Sequence, residues 1–183
     1  MDQGLIPRRY AKALLMFANE HGSAAAVYDA ARRLCQAFKD EPSLQRTLSN
    51  PYVSVADKEK LVKEAAAPKG QAEKDLDDFI KLLEKNHRTD FLHHCALEYI
   101  ALYRRENKIY SVTITSAAPM EPSELKRIHQ IVEKHLPEGA TAEFREELNP
   151  ELIGGFTVAI DNDLLDASVA TELKQLRLKL LSH

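Results

Sequence analysis

The chain has 183 residues, of which 44% are hydrophobic and 29% charged, an ordinary globular composition able to bury one large core or two small ones. Its formal net charge of −3 argues against nucleic acid as the main partner, because phosphate binding is driven by clustered Lys and Arg. No run approaches the roughly 20 apolar residues of a membrane helix, so any membrane association is expected to be indirect.

The first ten residues lack the basic start, apolar middle and cleavage site of a secretory signal. Cys35 and Cys95 have neither disulfide-framework nor metal-knuckle spacing and read as two reduced, buried small hydrophobes, as in a reducing cytoplasm.

Taken in order, apolar residues recur at helical spacing from Leu5 to about His21, and Gly22 supplies a helix terminator. Ser23 is placed to cap a second helix reaching about Asp40, with Val27, Ala31, Leu34 and Phe38 as its buried stripe. Pro42 opens a short helix through Leu48, which Asn50-Pro51 ends. Ser54 with Asp57 forms a capping-box-like start for a helix ending near Ala67. Two longer helices are predicted at Gln71–Asn86 and Asp90–Asn107, making six helical segments joined by short loops.

At Ile109 the period changes. The β-branched run Ile109–Thr115 favours a strand, Glu124–Leu136 returns to helical spacing, and Thr141–Leu148 and Gly155–Ile160 read as two further strands. Asp161-Asn162-Asp163 is a turn signal, Leu164–Asp166 a short continuation, and Ala167–Leu181 a final amphipathic helix. The fold class expected is mainly α with α+β: a six-helix bundle domain over 1–108, then a small β-α-β-β-α domain over 109–183. Charge divides at the same place, with 18 Lys+Arg against 16 Asp+Glu in residues 1–108 and 7 against 12 in 109–183.

Catalytic chemistry finds no convincing set of groups. Gly154-Gly155 sits between strands, without the strand-then-helix context of a dinucleotide fingerprint, and reads as backbone freedom at a hairpin or bulge. His87, His93, His94 and Cys95 hold metal-ligand chemistry, but adjacent helical residues point about 100° apart and do not readily chelate one ion. The acid pairs Asp77-Asp78 and Glu146-Glu147 read as exposed faces. Apolar surface in excess of one core-facing stripe is more distinctive. In the first helix Ile6, Tyr10, Ala13, Leu14 and Phe17 form one line and Ala11, Leu15 and Ala18 another. The helix from Gln71 to Asn86 has Leu76, Phe79, Ile80 and Leu83, with Leu82 off that line. Such helices either bury both sides or pack a core with one and offer the other as a groove wall for a partner helix.

Three segments carry a resemblance. Arg9-Tyr10-Ala11-Lys12-Ala13-Leu14, then Asn86-His87-Arg88 with Phe91-Leu92, then Gly154-Gly155-Phe156 followed by Asp166-x-Ser168-Val169 and Leu173-x-x-Leu176 resemble the delta subunit family of bacterial F-type ATP synthase. Its mitochondrial counterpart is the oligomycin sensitivity conferral protein. His87 stands where that family usually has glycine, so a left-handed turn there would cost about 1 kcal/mol. Ala167 replaces a turn glycine, and Ala170-Thr171-Glu172 replaces a basic stretch, so basic contacts are not carried onto those positions.

The resemblance implies a non-catalytic stator subunit without cofactor or metal, present in one copy per complex at the cytoplasmic face of the bacterial plasma membrane. It implies that residues 1–108 bind the N-terminal helix of an alpha subunit between the first and fifth helices. The wall is assigned to Tyr10, Ala11, Leu14, Leu15, Phe79 and Leu83. Residues 109–183 would hold the b-subunit stalk, so that rotary torque is coupled to ATP synthesis. The rival reading is an unrelated helical adaptor that binds other partner helices.

Overall fold

A computed structural model describes residues 5–50, 52–67, 70–152, 154–161 and 163–168. The chain divides into two compact units, Met1–Glu106 and Asn107–His183.

The first unit is helical: α1 (Leu5–Glu20), α2 (Ala24–Asp40), α3 (Ser43–Ser49), α4 (Val55–Ala66), α5 (Gln71–Lys85) and α6 (Leu92–Glu106), with a 3-10 turn at Thr89–Phe91. The core forms where stripes at i, i+3/i+4 spacing face one another. Ala11, Leu14, Leu15 and Ala18 of α1 meet Val27, Leu34 and Phe38 of α2, Leu76, Ile80 and Leu83 of α5, and Cys95 and Tyr99 of α6. Tyr99 is fully buried and donates its hydroxyl to the Ala24 carbonyl at 3.0 Å, and burial pushes its phenol well above the ordinary range.

Helix ends are closed by specific devices. Ser54 caps α4 by accepting from the Asp57 amide at 3.2 Å, the start expected from the sequence. Arg33 of α2 closes its other end, with Nε and Nη2 donating to the carbonyls of Ala66 and Ala67 at 2.7 and 3.1 Å. Ser23 behaves otherwise than expected. Its side chain makes no capping bond to α2 and instead donates to the Asp75 carboxylate of α5, a buried acceptor in greater need of a donor than a solvated helix start.

α1 and α5 end alike. Gly22 (φ +66) donates to Asn19 O at 3.2 Å and Ser23 N to Ala18 O at 2.9 Å. His87 (φ +52) donates to Glu84 O and Arg88 N to Leu83 O, both at 2.8 Å. Each pair is the 5→2 and 6→1 bonding of a Schellman cap. Only the second places a side chain in the left-handed region.

The second unit is a four-stranded sheet of order β2-β1-β3-β4 with one described helix: β1 (Ile109–Ser116), α7 (Pro122–His135), β2 (Thr141–Leu148), β3 (Gly155–Ile160) and β4 (Asp163–Ser168). β1 pairs with β2 in parallel, and β1–β3 and β3–β4 are antiparallel. Alternation puts Val112 and Ile114 of β1 and Val158 of β3 on one face, where Ile128 and Val132 of α7 cover them. Gly155 opens β3 at φ +78, which fits the conformational freedom expected of Gly154-Gly155.

The expected order differs at its end. The segment read as a short continuation and then the start of a helix is one strand through Ser168, paired along β3 from Ile160–Asp163 to Gly155–Ser168. Asp166 and Ser168 therefore lie in a strand rather than in a turn. Pairing with β4 covers the edge of β3, whose backbone groups a helix beginning at Ala167 would have left without a strand partner there. The rest of the expected final helix, 169–181, lies outside the described residues.

His87→Gly is expected to stabilise the helical unit by about 0.5–1 kcal/mol, because it removes a Cβ from a left-handed cap at some cost in unfolded-chain entropy. A rise in the urea midpoint at unchanged slope would be the signature.

Candidate functional site: a groove between α1 and α5

Contacts between α1 and α5 fix how the two helices lie. Tyr10 meets Phe79 edge-on, with ring centroids 6.4 Å apart, and His21 reaches Asp75 at 2.8 Å. Arg88, just beyond α5, sits over the Tyr10 ring at 5.7 Å. Advancing along α1 thus means going back along α5, so the helices are antiparallel. Tyr10 of the first resembling segment and Arg88 of the second belong to one cation–π contact.

Between the helices runs a shallow groove of about 290 Å³, lined by Ala13, Leu14 and Phe17 of α1 and by Asp75, Asp78, Phe79 and Leu82 of α5. On α5, residues 75, 78/79 and 82 fall on one line by helical spacing. Phe17 and Leu82 are 37% and 42% exposed, high for large apolar side chains whose neighbours are buried.

The six wall residues taken from the sequence separate into two groups. Leu14 and Phe79 form the floor of the groove, and Tyr10 is half-buried at its edge through its contact with Phe79. Ala11, Leu15 and Leu83 do not reach it: at 0%, 2% and 0% exposure they lie in the bundle core. Two apolar lines on a helix cannot be ranked by spacing alone, and the core took the Ala11-Leu15-Ala18 line because α6 and α2 pack there. Phe17, Ala13 and Leu82 are the apolar lining residues outside those six, although Leu82's departure from the core line is itself a signal.

Asp75 is the polar residue that the sequence reading passed over. It is 1% exposed, and its carboxylate accepts from Ser23 Oγ and from Gln71 Nε2 at 3.0 Å while lying 2.8 Å from His21 Nδ1. A buried carboxylate is tolerable only when donors saturate it. Here they come from the α1–α2 turn and from α5 itself. Asp75 occupies the core line of α5, three residues after Ala72 and four before Phe79, and a charge at a core position was a legible anomaly.

Elsewhere the candidate chemical groups diverge. His93 stacks on Phe38 at 4.5 Å, and burial, then His94 and Lys39, lower its pKa. Cys95 is in the core, and no group of three or more potential metal ligands occurs among the described residues. Asp77 bonds Lys63 at 2.8 Å while Asp78 faces Lys81 at 3.8 Å, so this acid pair does not converge. Glu146 and Glu147 are exposed on β2. In the second unit a cleft of about 640 Å³ is lined by Ser116–Met120, by Arg127 and Ile131 of α7 and by Gly154–Phe156.

Comparison with known proteins decides the family. The family model "ATP synthase delta (OSCP) subunit" matches residues 6–180. The chain belongs to the ATP synthase delta (OSCP) subunit family. It is 38% identical to ATP synthase subunit delta of Parabacteroides distasonis over 100% of this chain and 99% of that one. It is 36% identical to the same subunit of Phocaeicola vulgatus, covering 95% and 92% of the two chains. Among solved structures, a chain of the Toxoplasma gondii mitochondrial ATP synthase hexamer has the same fold, with TM-score 0.67, 24% identity and coverage of 96% and 97%. As a delta/OSCP-family chain the protein is a non-catalytic stator subunit of the peripheral stalk, which replaces the rival reading of an unrelated adaptor. No helix among the described residues is long and apolar enough to cross a membrane.

Asp75→Ala is expected to destabilise the helical unit by about 1–3 kcal/mol, because it strips the acceptor from the buried Ser23 hydroxyl and the contact from the more exposed Gln71 and His21. Asp75→Asn, which keeps one acceptor oxygen, should cost less, as thermal unfolding of the two variants would show. The buried thiols give a second prediction. Burial raises Cys35 from 9.0 to about 11 and Cys95 from 9.0 to about 12. The folded chain keeps protons that the unfolded chain releases, so this stabilisation is whole below about pH 9 and declines as pH rises toward the folded values. At pH 8 a thiol-specific disulfide reagent should modify neither cysteine in the folded chain and both in guanidinium.

Proposed function

We propose that this chain joins the catalytic head of an F-type ATP synthase to its peripheral stalk. The helical unit, residues 1–108 as read from the sequence, receives the N-terminal helix of the alpha subunit in the α1–α5 groove. Residues 109–183 hold the b-subunit stalk. One copy serves each complex, at the cytoplasmic face of the bacterial plasma membrane, and the connection keeps the head from turning with the rotor.

The groove is the observation that carries this reading. Ala13, Leu14, Phe17, Phe79 and Leu82 present an apolar strip along two antiparallel helices, the shape that an amphipathic helix fills with residues at i, i+3/i+4 and i+7. A joint under sustained torque needs slow dissociation. Apolar burial at about 25 cal/mol per Å² supplies it better than exposed ion pairs, which salt screens.

The test is a synthetic alpha-subunit N-terminal peptide from the same organism, titrated into the isotope-labelled full chain. Amide signals of Ala13, Phe17, Asp78 and Leu82 should shift, and an absence of shifts throughout residues 1–106 would defeat the reading. Phe17→Asp and Leu82→Asp should each weaken the peptide about 30-fold or more, a loss of about 2 kcal/mol. Both side chains are more than a third exposed, so circular dichroism should stay unchanged. Leu14→Asp is the poorer probe because Leu14 also belongs to the core, and Glu146→Ala should leave peptide binding as it was.

A further inference from the structure

The groove is chemically uneven along its length, and its unevenness selects a charge on the guest. Toward Leu82 its lining is apolar, with Phe79 and Leu82 on α5, and beyond that end Arg88 lies over the Tyr10 ring at the groove's edge. Toward the end of α1 its lining includes two carboxylates, Asp75 and Asp78, one turn apart on α5. The two acids differ in availability. Asp75 is buried and already engaged with Ser23, Gln71 and His21. Asp78 is exposed and pairs with Lys81 at 3.8 Å, with both side chains more than half exposed. An exposed ion pair at that distance is worth little and exchanges readily.

From this asymmetry we infer that the helix received by the groove carries a lysine or arginine that pairs with Asp78. Its apolar stripe covers Leu14, Phe17, Phe79 and Leu82. This inference rests on the helix-in-groove reading and adds the register and direction of the guest to it. Apolar contacts alone permit a helix to lie either way along the strip or to slip by a turn. One cation at the Asp78 end, with Arg88 disfavouring a second cation at the other, makes one arrangement preferred. Asp75 contributes as a positioning residue, because it fixes the turn of α5 from which Asp78 projects.

The experiment uses the full chain, the alpha-subunit N-terminal peptide of the same organism and versions of that peptide in which each Lys or Arg is replaced singly by Glu. Asp78→Asn should weaken the unmodified peptide about threefold to fivefold and flatten the salt dependence of its affinity. Asp78→Lys should weaken it about tenfold, and one Glu-bearing peptide should recover most of that loss with Asp78→Lys while binding the unaltered chain poorly. Unchanged affinity in Asp78→Lys, or weakening that no Glu-bearing peptide recovers, would overturn the inference while leaving the groove reading intact. Failure of the unmodified peptide to bind the unaltered chain at all would overturn both. Circular dichroism of the Asp78 variants separates any loss of fold, which their exposure makes unexpected.

Discussion

The helical unit depends on one buried carboxylate. Asp75 of α5 holds the turn between α1 and α2 through His21 and Ser23. Those residues belong to the Schellman cap that reverses the chain at Gly22. The cap, the reversal into α2 and the separation of α1 from α5 are therefore set by one group. An apolar residue at position 75 would pack there at lower desolvation cost, but it would leave Ser23, itself buried, with weaker hydrogen bonding and would not dictate where the turn sits against α5.

The opposite end of the α1–α5 pair is held differently. Tyr10 rests edge-on against Phe79, and Arg88 lies over the Tyr10 ring. Arg88 is brought there by the cap at His87, in which a histidine accepts the left-handed backbone that a glycine would adopt without strain. A residue in that conformation is kept only where the surrounding structure over-determines it. Here two cap hydrogen bonds and the approach of Arg88 to Tyr10 supply that determination.

Periodicity made the helices legible. It also disclosed that α1 has two apolar lines, because Tyr10, Ala13 and Phe17 and then Ala11, Leu15 and Ala18 each recur at helical spacing. Which line meets the core is a tertiary fact, decided by where α2 and α6 pack, and so Ala11, Leu15 and Leu83 read as wall residues although they are core. The role of Ser23 was hidden for a related reason: a serine before a helix is a good local cap, but its competing acceptor lies 52 residues away in sequence. β4 was obscured by composition. Asp-Leu-Leu-Asp-Ala-Ser has no clean alternation, and its strand conformation comes from backbone pairing with β3 rather than from side-chain preference. Asp75, by contrast, was open to detection, since its position between Ala72 and Phe79 already placed a charge on a buried line.

A groove whose two walls are tied at both ends differs physically from one whose walls are held only by the core beneath. The polar knot at Asp75 and the Phe79–Tyr10–Arg88 stack fix the walls before any guest arrives. On the proposed helix-in-groove reading, little ordering of the receptor is then needed on binding, and less of the free energy of burying Phe17 and Leu82 is lost to it. The same two ties resist separation of α1 from α5, because parting the helices would leave the Asp75 carboxylate with Gln71 alone of its three partners at one end and break an aromatic contact at the other. For a stator subunit this matters more than the equilibrium strength of any one contact. Torque shortens the lifetime of a joint through its softest element, and here the walls are stiffened by interactions that do not involve the guest.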